Sequence, residues 1–269
     1  MIVYLADRLG KAAQTCGFLF FSERMIGMTN GYLHSIESMG MVDGPGIRTV
    51  VFLQGCKLRC LYCHNPDTWR MNQGTKITPE QLVKKLLRFQ SYFSRSGGGV
   101  TFSGGEPLLQ PEFLTEALRL CKQHGIHTCI DTAGVGIGHY EEILSYTDLV
   151  LYDVKHFEPD AYHALTGQPM DETLRFIEAV RKSGVPMWVR HVVVPGLTDS
   201  DAHMEGLHRY IGTLPNVKKV ELLPYHLLGV NKYETMNMNY PLNGVPAMDT
   251  NVCEGYSKRF FEEKGGFPA

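Results

Sequence analysis

The stretch Thr49-Val50-Val51-Phe52-Leu53-Gln54-Gly55-Cys56-Lys57-Leu58-Arg59-Cys60-Leu61-Tyr62-Cys63-His64-Asn65 joins an apolar, β-branched run to three closely spaced cysteines. The run at residues 49–53 reads as a buried strand, because such side chains fit a pleated and covered surface. That strand delivers the cysteines at its C-terminal end, where barrel enzymes keep their chemistry. Cys56, Cys60 and Cys63 form a CxxxCxxC pattern, three thiolate donors packed into eight residues with no fourth nearby. An iron-sulfur cubane normally takes four thiolates, so a [4Fe-4S] cluster held by three leaves one iron open to another ligand. The competing reading is a structural zinc ion on Cys56, Cys60, Cys63 and His64. Adjacency argues against it, since consecutive residues such as Cys63 and His64 reach one metal awkwardly and zinc knuckles draw their ligands from two separated pairs.

Working outward, the chain alternates strands with helices. Thr78-Pro79-Glu80-Gln81 is a capping box with proline at the first helical position. Leu82, Val83, Leu86, Leu87 and Phe93 follow at helical spacing and predict one helix that ends at Gly97-Gly98-Gly99. A strand at 100–102 then ends in Ser103-Gly104-Gly105-Glu106, and a helix at 113–123 is closed by Gly125. A strand at 126–130 ends in Asp131-Thr132, a helix covers 140–146, and a strand at 149–152 ends in Asp153-Val154-Lys155. Asp171 is expected to cap a helix at 173–182 that Gly184 stops, before a strand at 187–194. A helix at 201–211 and a sixth strand at 220–223, ending in Pro224-Tyr225-His226, complete the pattern. Six such strands predict a parallel α/β sheet, because each return crossover needs a helix and right-handed crossovers prevail. Periodicity alone permits an open doubly wound sheet as readily as a curved one. The polar residues fall at successive strand ends and are expected to ring one site.

Taken together these words resemble the radical S-adenosylmethionine enzymes and, within them, the family of activating enzymes of pyruvate formate-lyase. The matching stretches are Val42-Asp43-Gly44-Pro45-Gly46-Ile47-Arg48, the cysteine loop through Asp67-Thr68-Trp69, and Ser96 to Thr101 running into Ser103-Gly104-Gly105-Glu106. Asp131-Thr132, Asp153-Val154-Lys155 and Leu222-Leu223-Pro224-Tyr225-His226 continue the match, which spans residues 31 to 264. CxxxCxxC followed by Gly-Gly-Glu is far more specific than either word alone.

The resemblance implies a partial (β/α)6 barrel open on one side, with one [4Fe-4S] cluster on Cys56, Cys60 and Cys63. It implies that S-adenosylmethionine chelates the free iron through its amino and carboxylate groups. Gly104 and Gly105 would let backbone approach the amino group, with Glu106 beside them. Tyr62, His64 and Asn65 are carried over as adenine-side neighbours, the Tyr62 ring against the base with its hydroxyl wet. Asp153, Val154, Lys155 and His226 complete the cofactor set, Lys155 suiting the carboxylate. A monovalent cation is implied at Asp131 and Asp153, since two carboxylates beside a third repel without one. Asp43 would contact the glycyl loop of the protein substrate. Taken singly, Asp131 reads as a turn residue, Lys155 as a surface lysine, His226 as a core histidine and Asp-Gly-Pro-Gly as a turn; their joint placement favours a site. The implied chemistry is one-electron cleavage of the sulfonium to methionine and a 5′-deoxyadenosyl radical, which takes hydrogen from a glycine. A flavodoxin or ferredoxin-type electron donor is implied as well.

The whole chain is consistent with this. Its 269 residues and 30.3 kDa suit one catalytic domain over 28–269, with residues 1–27, outside the match, as an N-terminal extension or a misassigned start at Met28. The net charge of −2 offers no general attraction to nucleic acid or an acidic membrane. Seven cysteines, with Cys16, Cys121, Cys129 and Cys253 scattered, do not form a disulfide framework and suggest a reducing cytoplasm. No apolar run is long enough to span a bilayer, and the short Gly17-Phe18-Leu19-Phe20-Phe21 run is a poor secretion signal. The rivals are a zinc-stabilised binding module, a radical enzyme acting on a small molecule, the shorter activase of anaerobic ribonucleotide reductase, and an activase of another glycyl radical enzyme. Many activases of the last kind insert a ferredoxin-like segment with repeated CxxCxxCxxxC words. The interval between Cys63 and Gly104 contains no cysteine, which favours pyruvate formate-lyase as partner.

Overall fold

A computed structural model describes residues 29–262; the extension at 1–27 lies outside them. The sheet has eight strands: β1 Gly31–Gly40, β2 Arg48–Leu53, β3 Thr75–Ile77, β4 Gly99–Gly104, β5 His127–Thr132, β6 Leu149–Asp153, β7 Met187–Val193 and β8 Val217–Pro224. Their spatial order is β3-β1-β2-β4-β5-β6-β7-β8. The six predicted strands are all present, adjacent in sequence order and parallel. The sheet ends on β3 at one side and β8 at the other, so it does not close. The expected open, partial barrel is what the chain forms.

The unforeseen part of the sheet is the edge next to β2. β1 pairs antiparallel with both β2 and β3, with register breaks between Leu33 and Ser35 and between Glu37 and Gly40. β3 covers only Gly31–Leu33, so the rest of β1 is exposed at the edge, and such bulges twist it and interrupt its ladder.

The helices are α1 Pro79–Leu86, α2 Gln90–Ser96, α3 Pro111–Gln123, α4 Tyr140–Ser145, α5 Pro159–Thr166, α6 Asp171–Ser183, α7 Asp201–Ile211, α8 Val230–Thr235 and α9 Thr250–Ser257. The capping box forms as read: the Thr78 hydroxyl accepts from the Gln81 N–H while the Gln81 side chain accepts from the Thr78 N–H. The single helix expected from there to Gly97 is instead two, joined by a 3₁₀ turn at Leu87–Phe89. Leu82, Val83 and Leu86 are buried, but exposed Gln90 stands where the core-facing stripe should continue, and the chain bends there before burying Phe93. Asp171 is not a cap either. It is the first helical residue after Met170, where its charge favours the positive N-terminus of α6. Gly184, at φ 73°, ends that helix as expected.

Val50, Val51, Leu53, Val100, Phe102, Ile130, Val150, Met187 and Val189 are fully covered, which is why these strands read as continuous apolar runs. Arg48 is the buried exception at the start of β2. Its guanidinium donates to the Thr101 hydroxyl at 2.6 Å and to the carbonyls of Val100 and Pro45, while Thr101 donates to the Asp43 carbonyl. The 41–47 turn is thereby tied under the sheet, at the opposite end of β2 from the cysteines. Among the described residues, no helix is long and apolar enough to cross a membrane.

Candidate active site

After Leu53 the chain forms a loop held largely by hydrogen bonds to backbone carbonyls. The Gly55 N–H donates to Thr68 O at 2.7 Å and the Cys56 N–H to Trp69 O at 3.2 Å. Buried Gln54 donates its amide to the carbonyls of Asp67 and Arg70. On the other side the Arg59 and Leu61 N–H groups donate to Thr166 O and Leu165 O at 2.7 and 3.0 Å. Those carbonyls belong to the last turn of α5, which has no intrahelical partners for them, so helix and loop satisfy each other. The Arg59 guanidinium donates to the carbonyls of Cys56 and Leu58, both at 2.8 Å, and lies 4.7 Å over the Trp69 ring.

This scaffold turns Cys56, Cys60 and Cys63 into one cavity of about 380 Å³, all three as free thiols. Burial pushes each thiol above its ordinary pKa, Cys60 to about 11; for Cys63, a bond from the Asn65 backbone and one from the Trp69 side chain ease the shift. Buried thiols of this kind lose their protons when a metal centre takes the protons' place, and three soft donors around one cavity fit an iron-sulfur cluster. Among the described residues, no three His, Cys, Asp or Glu side chains converge on a single ion, as a Cys3His zinc site requires. In a cubane each thiolate binds a different iron, so convergence on one point is not needed.

Behind the loop sits the glycine pair. Gly104 has φ 118°, and a Cβ there would fall 2.3 Å from the Leu53 backbone; one on Gly105 would fall 2.2 Å from Gly55 O. The Gly105 and Glu106 N–H groups donate to Leu53 O and Gly55 O at 2.9 and 2.8 Å. The glycines therefore let the end of β4 dock against the cluster loop, a packing reason beside the ligand one expected from the sequence. Glu106 is fully buried and lines the cavity. Burial raises its carboxyl to about 7, although Thr132 Oγ1 and the N–H groups of Leu108 and Ala133 donate to it and pull the other way.

The carboxylates at the ends of β5 and β6 are neutralised by the protein. Arg190, on β7 in register with Asp153, donates to Asp131 Oδ1 through Nη2 and to Asp153 Oδ1 through Nε at 3.1 Å. Lys155 Nζ donates to Asp153 Oδ2 at 2.9 Å, and the Ser103 hydroxyl to Asp131 Oδ2 at 2.6 Å. All four carboxylate oxygens thus have protein donors, two of them the cationic side chains of Arg190 and Lys155. Burial raises Asp131 despite Arg190; it would raise Asp153 too, but Lys155 and Arg190 together hold Asp153 below the ordinary range.

The wall nearest the cysteines carries Tyr62, His64, Asn65 and His226. The rings of His64 and His226 stack at 3.9 Å, and a hydrogen bond of 2.8 Å joins His64 Nε2 to the His226 carbonyl. The Tyr62 hydroxyl, expected to stay wet, is instead buried and has no hydrogen-bond partner, with Lys155 Nζ 5.6 Å from the ring centroid. Val154 alone among the expected cofactor residues does not line the cavity: its side chain is in the core and its backbone is bonded to Arg190 and His191. Asp43 lines the far end, with Met41 and Val42, each 78% exposed, beside it. The cavity therefore runs between the cluster loop and the 41–47 turn.

Sequence reading missed the helix that straps this wall. α8 sets Lys232 Nζ 2.8 Å from Asn65 Oδ1 and 3.1 Å from Asp67 Oδ1, and the Tyr233 hydroxyl donates to Cys63 O at 3.1 Å. Asp67 also meets His34 Nε2 at 2.9 Å. Because Lys232 and Asp67 are both about a third exposed, solvent screens the ion pair. Lys232→Ala is expected to lower stability by about 0.5–1 kcal/mol. Thermal unfolding checks this.

Residues 50–205 match the family model described as the radical SAM superfamily, and the chain belongs to it. Within that superfamily it belongs with the pyruvate formate-lyase-activating enzymes: it is 62% identical over 238 residues to the one of Clostridium pasteurianum, covering 87% of this chain and 100% of the relative. The activating enzyme of Staphylococcus epidermidis is 45% identical over 250 residues, covering 90% of this chain and 99% of that one. Among solved structures, a radical SAM methyltransferase from Sphaerobacter thermophilus shares the fold at a TM-score of 0.60 and 16% identity, covering 89% of this chain and 76% of that one. The cofactors of the superfamily are a [4Fe-4S] cluster and S-adenosylmethionine.

Proposed function

We propose that this protein cleaves S-adenosylmethionine reductively and abstracts a hydrogen atom from a glycine of pyruvate formate-lyase, leaving a glycyl radical. The observation that carries this is 62% identity to an activating enzyme along that relative's entire length. Cys56, Cys60 and Cys63 hold the cluster. When bound there, the cluster would supply the electron for reductive cleavage of S-adenosylmethionine.

The other residues bind, orient and exclude water. Glu106, with its raised pKa, suits an ammonium group, which on arrival would favour its ionised form. Lys155 and Arg190 supply cationic donors for the methionine carboxylate, and Asp131 and Asp153 keep those cations in place. Tyr62, His64, Asn65 and His226 flank the adenine, and Asp43 at the far end meets the glycyl loop. No acid-base residue acts at the reacting carbon; a covered cavity protects the radical from side reactions. A small flavodoxin or ferredoxin-type carrier delivers the electron from the cluster-loop side. The six described cysteines are all free, in keeping with a reducing compartment such as the cytoplasm.

The test is anaerobic reconstitution with iron and sulfide, followed by reductant and S-adenosylmethionine. Formation of 5′-deoxyadenosine supports the reading; a reduced, spectroscopically intact cluster that yields none contradicts it.

A further inference from the structure

Outside the cavity, on the far side of β6 and β7, lies a buried pair of histidines that the chemistry above does not use. His191 on β7 is 1% exposed and His203 on α7 is 8% exposed. Their Nε2 atoms are 3.0 Å apart, and His191 Nδ1 is 2.7 Å from the carbonyl oxygen of Val154. Burial lowers both pKa values, His191 to about 4 and His203 to about 3, so both imidazoles are neutral in the working range.

Neutrality fixes the protons. A carbonyl oxygen only accepts, so His191 carries its proton on Nδ1. Its Nε2 is then a bare acceptor, and His203 must donate to it from Nε2–H. The result is a directional chain from His203 through His191 to Val154 O. Val154 is the middle residue of Asp153-Val154-Lys155, and its N–H donates to Arg190 O at 2.9 Å. Both polar backbone groups of Val154 are thus held from β7, and the side chains on either side of it are the ones that meet in the ion-pair network with Arg190.

We propose that His203 and His191 form a two-imidazole positioning relay that holds the Asp153-Val154-Lys155 segment in the geometry that binds the carboxylate of S-adenosylmethionine. The inference rests on the assignment of Lys155 to that carboxylate. Neither histidine touches the ligand. His203 orients the His191 ring, His191 anchors the Val154 carbonyl, and that anchor sets the separation of Lys155 from Asp153 and Arg190. The titratable groups acting on the relay are His156, Lys155 and Asp153 from the end of β6 and its following loop.

Two measurements on the cluster-loaded, oxidised protein test this. Long-range proton-nitrogen NMR of histidine-labelled enzyme is expected to show His191 as the Nδ1–H tautomer and His203 as the Nε2–H tautomer. His191 found with a bare Nδ1 overturns the relay directly. In parallel, His203→Leu removes the donor, whereas His203→Gln replaces Nε2–H with an amide N–H. His203→Leu is expected to raise the Kd for S-adenosylmethionine about tenfold with kcat at saturation within about twofold, and His203→Gln to restore most of the affinity. A fall in melting temperature with unchanged Kd in His203→Leu, or no recovery in His203→Gln, overturns the proposal and leaves a packing role. Lys155→Ala serves as the control: unchanged affinity there refutes the carboxylate assignment itself, whatever the tautomers show.

Discussion

Replacing any one of Cys56, Cys60 and Cys63 by alanine is expected to abolish both the [4Fe-4S] absorption and the cleavage of S-adenosylmethionine. Three ligands leave none to spare. The remaining described cysteines lie elsewhere: Cys121 in α3, Cys253 in α9, and Cys129 on β5 packed with Leu149, Leu151 and Trp188. Cys121→Ala, Cys129→Ala and Cys253→Ala should retain the cluster and activity, losing about 1 kcal/mol each from small buried voids. Absorption and electron paramagnetic resonance spectra of the six reconstituted variants decide the matter. A cluster that survives loss of a loop cysteine, or vanishes with one of the other three, contradicts the ligand set.

Arg190→Leu is expected to be the most damaging single change away from the cysteines. It leaves Asp131 and Asp153 buried together, with Lys155 alone to offset two charges, and breaking a buried network this way costs about 3–5 kcal/mol. Affinity for S-adenosylmethionine should fall at least about tenfold with a lost charged hydrogen bond. The pH dependence carries a sign. In the intact protein Asp153 lies below its ordinary range, a stabilisation present above the unfolded pKa and lost as pH falls through the folded one. Without the guanidinium both carboxyls rise. Between the ordinary carboxylate pKa and these raised values the folded variant binds more protons than its unfolded chain, so its stability falls as pH rises. The deficit relative to the parent should be wider at mildly alkaline pH and shrink toward mildly acidic pH, where protonation relieves the repulsion. Anaerobic urea unfolding at the two pH values measures it. A pH-independent deficit would contradict this description of the network. Arg190→Lys should recover only part of the loss, because an ammonium cannot present two fixed donors to two carboxylates.

The parallel strands were legible because each is a short apolar run bounded by turn residues, and the site was legible because its polar words stand at the ends of those runs. What stayed hidden has physical reasons. β1 runs antiparallel with one side less covered, so Gly31–Gly40 lacks the continuous apolar signal of its neighbours. α5 begins with Pro159 and ends at left-handed Gly167, signals that were present but short, and its function is to offer two carbonyls to the cluster loop. Arg190 was the most informative residue overlooked. An arginine followed by a histidine inside the buried run Met187–Val193 demands partners, and the carboxylates at the ends of the preceding two strands were the ones available. Lys232 gave no such hint, since nothing local to α8 points to a loop some 170 residues earlier. The wet hydroxyl expected of Tyr62 failed because the burial of a loop side chain depends on elements packed against it, Lys155 among them.

Electron paramagnetic resonance distinguishes the protein partner. Reduced, cluster-loaded enzyme and S-adenosylmethionine are incubated anaerobically with pyruvate formate-lyase and, separately, with other glycyl radical enzymes, and each mixture is frozen for electron paramagnetic resonance. The glycyl doublet is expected on pyruvate formate-lyase. A doublet on another glycyl radical enzyme with none on pyruvate formate-lyase would contradict it.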